Sequence, residues 1–172
     1  AVIRIGLKIP GLKKILQKAV KRKIGMVNCK YAITGAAPIN PDILRLFEHI
    51  GVPLYEGYGM TETTAGASIN YKDNVKIGSV GKTLPGGTEL KTDTDGEIMF
   101  RGRHVMKGYY NNPTATAEVM DGDWLRSGDI GKIDSEGFVT ITGRKKELYV
   151  SSGGKNIAPL VIEETMKAIP LV

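Results

Sequence analysis

The stretch Glu56-Gly57-Tyr58-Gly59-Met60-Thr61-Glu62-Thr63 decides the fold because of what stands in front of it. A short β-like run, Tyr31-Ala32-Ile33-Thr34, leads into Gly35-Ala36-Ala37-Pro38, and Asn40-Pro41-Asp42 then opens a helix. Asn40 suits the N-cap and Pro41 the first helical position, while Ile43, Leu44, Phe47 and Ile50 form an apolar stripe that Gly51 closes. Another apolar run follows at Val52 to Tyr55. Strand, glycine turn, helix and strand make one βαβ unit of a mainly parallel sheet. The loop from Gly57 to Thr64 therefore falls at the carboxyl end of a strand, where ligands bind in such sheets.

Downstream of Tyr71 the texture changes to short β-like runs at Thr88 to Lys91, Glu97 to Arg101, Asp123 to Arg126, Ile130 to Ile133 and Phe138 to Thr142. Turns such as Asp95-Gly96, Asp121-Gly122 and Glu136-Gly137 separate them, which predicts a small antiparallel sheet or barrel. Asn112-Pro113 leads into one short helix over Thr114 to Met120. The charged run Arg144-Lys145-Lys146-Glu147 marks a boundary, and a last helix begins at Pro159. Upstream, Leu12, Ile15, Leu16, Ala19 and Val20 follow the spacing of an amphipathic helix that Gly25 ends. Its other face carries Lys13, Lys14, Lys18, Lys21 and Arg22.

Composition narrows the classes. With 41% hydrophobic and 24% charged residues the chain is globular rather than disordered. Its 22 glycines in 172 residues sit singly or in pairs between apolar runs, the mark of many tight turns. The net charge of +6 is local: residues 1–30 hold nine of the 24 Lys and Arg and no acid, leaving 15 basic against 18 acidic residues elsewhere. That segment lacks aromatic residues, which counts against single-stranded nucleic acid stacking on it. One cysteine, Cys29, excludes a disulfide framework and a cysteine-based zinc cluster, and suits a reducing compartment. No apolar run approaches the length of a membrane span, and there is no signal-peptide pattern. A start without Met and an end just after a helical pattern suggest a piece of something larger.

Four stretches stand in order: Gly57-Tyr58-Gly59-Met60-Thr61-Glu62-Thr63; Gly96-Glu97-Ile98 with Arg101-Gly102; Trp124-Leu125-Arg126-Ser127-Gly128-Asp129; and Gly143-Arg144-Lys145-Lys146-Glu147 followed by Gly153-Gly154-Lys155-Asn156-Ile157-Ala158-Pro159. Together, over residues 31–165, they resemble the adenylate-forming superfamily of acyl-CoA synthetases, luciferases and peptide-synthetase adenylation domains. Their wording looks most like long-chain fatty acid-CoA ligases. The resemblance implies an α/β fold: part of an AMP-binding βαβ subdomain over 1–70, a small antiparallel β-barrel over 71–146 ending at a hinge, and the start of a C-terminal lid over 147–172. It also implies ATP, Mg2+ and coenzyme A as the chemical partners of a fatty acid.

Activating a carboxylate with ATP requires binding adenine and ribose, holding magnesium on the phosphates and stabilising charge at the α-phosphate. The Thr61 hydroxyl can donate to a phosphate oxygen, and Glu62 offers a hard oxygen to magnesium. Among the implied nucleotide contacts, Gly35, Ala36, Ala37 and Pro38 match a loop beside adenine, and Tyr58 matches a residue flanking it, within Glu56, Gly57 and Gly59. Asp129 matches the carboxylate that accepts both ribose hydroxyls, and Arg144 an arginine that contacts the nucleotide. Lys146 falls at the hinge, and Gly153, Gly154 and Lys155 lie where the thiol of coenzyme A approaches.

Simpler readings stand beside these. Thr61 and Glu62 could be a helix cap and a surface acid, Arg144 a salt-bridge partner of Glu147 or Asp129, and the paired glycines an ordinary hairpin turn. Glu97 and Arg101 read as structural, Trp124 as core, and His49 and His104 as surface or structural residues without metal-ligand spacing. The family's phosphate loop and lid lysine are expected outside residues 1–172, so the chain alone is expected to be inactive. Expected partners are small molecules, with no nucleic acid, in the cytoplasm, and with peripheral membrane contact through the basic segment 8–23. The alternatives are an aryl- or amino-acid-activating enzyme, and a basic module binding nucleic acid or membrane.

Overall fold

The computed structural model describes residues 10–151, 153, 156–167 and 169. They fall into two compact units: the described residues up to Thr34 together with Ile39–Tyr55, and Gly35–Pro38 together with the described residues from Glu56 onward.

The first unit holds α1 (Pro10–Lys23), β1 (Ala32–Thr34), α2 (Pro41–His49) and the opening of β2 (Leu54–Tyr58). The amphipathic pattern becomes α1, whose last turn carries Lys21, Arg22 and Lys23 against the helix dipole. Asn40 caps α2 by accepting from the Asp42 amide at 2.8 Å, with Pro41 next. Gly51 closes the helix with φ +76, and its amide donates to the Glu48 carbonyl at 3.0 Å. Gln17 Nε2 donates to the His49 carbonyl at 2.8 Å, so α1 is tied to the end of α2. β1 lies beside β2 with α2 between them in sequence, the expected βαβ unit.

In the second unit the chain turns antiparallel. The end of β2 pairs with β3 (Ser68–Ile69), which pairs with β4 (Lys82–Thr83). These two short strands follow no alternating pattern in the sequence. Beyond them lie β5 (Glu89–Thr92), β6 (Glu97–Arg101), α3 (Pro113–Val119), β7 (Met120–Asp121), β8 (Trp124–Ile133) and β9 (Val139–Arg144). The five strands form one antiparallel sheet in the order β5-β6-β8-β7, with β9 also on β8. The two expected runs at 123–126 and 130–133 are thus one ten-residue strand, carried through Ser127-Gly128. Gly128 sits at φ +74, a conformation open to glycine, and the ladder slips in register on both sides of this bend.

The expected barrel is, among the described residues, an open sheet. Its continuation runs through backbone bonds from the Val80 amide to the Val139 carbonyl, 2.8 Å, and from the Val139 amide to the Gly81 carbonyl, 2.9 Å. Ala67, Ile98, Phe100 and Val139 are buried together, with Tyr58, Val80 and Leu90 against them. Trp124 departs from its expected place in the core. It is only half-buried, with the Lys91 ammonium 4.3 Å and the Arg101 guanidinium 4.8 Å from its ring centre. At the end of the chain β10 (Tyr149–Val150) and β11 (Asn156–Ile157) form a hairpin, and α4 (Pro159–Lys167) follows.

Candidate active site

Every nucleotide-site residue expected from the sequence belongs to the second unit. The loop Gly35-Ala36-Ala37-Pro38 is exposed, with Ala36 at φ +68, and it runs against the end of β2: a Cβ on Gly35 would lie 3.0 Å from the Gly57 carbonyl oxygen. Glu56 is buried, and its carbonyl accepts from the Asn70 amide at 2.8 Å. Gly59 answers to the fold itself. Its added Cβ would sit 1.9 Å from the Ala65 carbonyl oxygen, because the loop folds back on β2 at that point.

Tyr58, Asp129 and Arg144 are joined directly. The Tyr58 hydroxyl donates to Asp129 Oδ2 at 2.5 Å, and the Arg144 Nε lies 3.2 Å from Oδ1. The register of β8 on β9 sets Asp129 opposite Arg144, and Ser127 Oγ, accepting from the Asp129 amide at 3.0 Å, fixes the backbone after the bend. Asp129 is 7% exposed, whereas the Arg144 side chain is 68% exposed. A nearly buried carboxylate is therefore held by one donor at each oxygen, at the open end of a cross-strand pair. Burial first, and then the neighbouring Asp129, push the Tyr58 hydroxyl well above its ordinary value, so it stays a donor. The simpler reading of Arg144, a pair with Asp129, is the arrangement present.

Thr61 and Glu62 lie in a single 3-10 turn, Thr61–Thr63, that follows β2. The buried Thr63 hydroxyl ties this turn to both the amide and the carbonyl of Met60 at 3.0 Å. Thr61 is exposed. The Glu62 carboxylate accepts from the Tyr109 hydroxyl at 2.7 Å, through Oε1. A carboxylate has two oxygens and further lone pairs, so one neutral donor leaves capacity for a hard divalent cation. The donor chemistry of Glu62 fits magnesium.

Lys146 lies in a second 3-10 turn, Lys145–Glu147, directly after β9. Its neighbour Lys145 reaches Asp95 Oδ2 at 2.5 Å and Glu97 Oε2 at 2.9 Å. Glu97, 3% exposed, also accepts from the Gly128 amide at 2.9 Å and from Arg126 at 3.3 Å. One buried carboxylate thus links β6, the bend of β8 and the turn after β9. Asp93, Asp95 and Glu97 bring oxygens within 4.8 Å of one another, but Lys145 and Arg126 already neutralise them. Gly153 is exposed in the turn between β10 and β11, as an ordinary hairpin would have it; Gly154 and Lys155 lie outside the described residues.

Sequence reasoning missed Tyr109 and Lys145. Tyr109 sits in Gly108-Tyr109-Tyr110, which carries no motif of its own, and Lys145 was one cation in a charged run. Only tertiary structure shows which carboxylates they meet. His104, expected to be a surface or structural residue, is half-buried, with Nε2 buried and without a hydrogen-bond partner.

The chain belongs to the AMP-binding enzyme family, whose model matches residues 9–110. It is 41% identical over 170 residues to the long-chain-fatty-acid–CoA ligase FadD15 of Mycobacterium bovis, covering 97% of this chain and 28% of that protein. It is 40% identical over 166 residues to the long-chain-fatty-acid–CoA ligase ACSBG2 of Gallus gallus, covering 93% of this chain and 22% of that one. Among solved structures, it matches the o-succinylbenzoate coenzyme A synthetase of Bacillus subtilis in complex with ATP and magnesium ion. The TM-score is 0.76 at 33% identity, over 83% of this chain and 32% of that chain. A Mycobacterium tuberculosis fatty acyl CoA synthetase matches with TM-score 0.66 at 31% identity, over 82% and 30%.

Proposed function

We propose that the protein to which these residues belong is a long-chain fatty acid-CoA ligase. A fatty carboxylate oxygen attacks the α-phosphorus of ATP and pyrophosphate leaves, giving an acyl adenylate. The thiol of coenzyme A then attacks the acyl carbon, loses its proton and releases AMP. The observation that carries this reading is the Tyr58–Asp129–Arg144 group, a buried carboxylate oriented at both oxygens.

In this reading Asp129 accepts the two ribose hydroxyls, while the Tyr58 hydroxyl and Arg144 fix its carboxylate in direction. The Thr61 hydroxyl donates to an α-phosphate oxygen, and the exposed Gly35–Pro38 loop lets the flat base approach the backbone. Glu62 would hold magnesium, which supplies charge neutralisation on the phosphates. Lys146 is the pivot of the lid, with Gly153, Gly154 and Lys155 near the incoming thiol.

The chain spans 28% and 22% of the two ligases named above, so turnover is assigned to the whole protein and not to this chain alone. Peripheral membrane contact is part of the same proposal. Ile15 is 67% exposed on α1, beside exposed Lys13, Lys14 and Lys18, a pairing suited to an anionic lipid surface. Residues 8 and 9 of the basic segment lie outside the described ones. No helix among the described residues is long and apolar enough to cross a membrane.

The test is ATP–pyrophosphate exchange by the full-length protein against a panel of long-chain, medium-chain, aryl and amino acids. Exchange with long-chain acids, lost in Asp129→Asn, is the expected result. Preference for an aryl or amino acid would move the protein to another branch of the family.

A further inference from the structure

Glu62 is fixed by more than its own turn. The Tyr109 hydroxyl donates to its carboxylate at 2.7 Å, the Met106 amide donates to its main-chain carbonyl at 2.8 Å, and Thr64 Oγ1 donates to the His104 carbonyl at 2.7 Å. Residues 104–109 therefore brace the Thr61–Thr63 turn at three points.

Tyr109 is itself held at both ends of its peptide unit. Its amide donates to Thr116 Oγ1 at 2.9 Å, and its carbonyl accepts from the Asn112 amide at 3.2 Å. Asn112 caps α3, accepting from the Ala115 amide at 3.0 Å. Gly108 has φ +149, and a Cβ there would lie 2.8 Å from the Thr116 side chain, so the residue before Tyr109 is set by the same helix start. The ring is 38% exposed beside an open depression of about 540 Å³ lined in part by Lys107, Asn112 and Thr116. A ring so exposed contributes little to the core, yet its backbone and hydroxyl are both fixed.

We propose that Tyr109 is a positioning residue for Glu62: by occupying one lone pair of Oε1 it fixes the carboxylate's rotation, so that the remaining oxygen capacity is presented to the divalent cation of a nucleoside triphosphate. This rests on the reading of Glu62 as the magnesium ligand. Partners that orient a metal-binding carboxylate act on metal affinity rather than on the fold. Tyr109 does not itself touch the nucleotide.

The experiment is calorimetric titration of the full-length protein with the non-reacting α,β-methylene analogue of ATP, in Mg2+ and in EDTA. Four proteins are compared: wild type, Tyr109→Phe, Glu62→Gln and the double variant. Wild type is expected to bind the analogue more tightly in Mg2+. Tyr109→Phe is expected to cut this Mg2+-dependent gain about tenfold while leaving binding in EDTA and the thermal midpoint unchanged. Glu62→Gln removes the gain, and adding Tyr109→Phe to it changes nothing more. The inference is overturned if Tyr109→Phe keeps the full gain, if it weakens binding equally in EDTA, or if it weakens binding further in the Glu62→Gln background. Full Mg2+ gain in Glu62→Gln overturns instead the assignment of Glu62, and with it the premise.

Discussion

Glu97 and Lys145, 48 residues apart in sequence, meet with Oε2 and Nζ at 2.9 Å, and this pair fastens the turn after β9 to the middle of the sheet. The two partners do not carry equal weight. The Glu97 side chain is 4% exposed and also serves the Gly128 amide and Arg126, while that of Lys145 is 44% exposed. Removing the buried partner leaves several donors unmet, whereas removing the exposed one frees a lone pair to water or Arg126. Glu97→Ala is expected to cost about 2–4 kcal/mol, and Lys145→Met at most about 1 kcal/mol. Thermal or denaturant unfolding of the two variants checks the asymmetry, and equal losses would contradict it.

Tyr58 gives a pH dependence of known sign. Its hydroxyl is held above the ordinary value by burial and then by Asp129, so above about pH 10 the unfolded chain has released a proton that the folded chain keeps. The native state then binds more protons than the unfolded one, and stability falls as pH rises through that window; below it the contribution is complete. Alkaline melting curves should show this decline in wild type and a shallower one in Tyr58→Phe. The same variant is expected to lose roughly 1.5–3 kcal/mol at neutral pH, because the donor to a buried carboxylate is gone.

Gly59 separates a demand of the fold from a demand of the ligand. The sequence suggests a glycine for close approach of nucleotide to backbone, but an added Cβ would meet the Ala65 carbonyl oxygen at 1.9 Å. Gly59→Ala is therefore expected to destabilise by about 1–3 kcal/mol or more, whatever is bound. A variant with unchanged melting temperature and weakened ATP binding would restore the ligand as the main reason for this glycine.

Helix α1 is expected to bring the protein to anionic vesicles. Flotation with liposomes containing phosphatidylserine should recover the full-length protein at low salt, less of it at 0.5 M NaCl, and less again after Lys13, Lys14 and Lys18 become Gln. Equal recovery with neutral liposomes, or insensitivity to salt, would remove the electrostatic attraction.

Local rules carried much of this far. Asn40, Pro41 and Gly51 specify one helix and its ends, and they do so with the bonds the sequence suggests. Glu97–Arg101 is legible as a strand to the residue. β3 and β4, two residues each, are not legible, since pairs that short have no periodicity to detect and exist because the end of β2 pairs with β3 and β3 with β4. For the same reason β8 reads as two strands: Ser127-Gly128 looks like a turn until β6 and β9 pair on either side of it.

The βαβ start, the antiparallel second half and the family resemblance were legible in residue order and local chemistry, and the same order marks Thr61, Glu62, Asp129 and Arg144 as candidates for the site. That Tyr58 and Arg144 share Asp129, that Tyr109 holds Glu62 and that Lys145 is tied to Glu97 emerges from the folded chain alone. Those pairings join residues 15 to 71 positions apart, Arg144 and Asp129 being the nearest and Tyr58 and Asp129 the farthest. Which long side chain meets which carboxylate is set by strand register and by the bend at Gly128, and neither leaves a periodic trace in the chain.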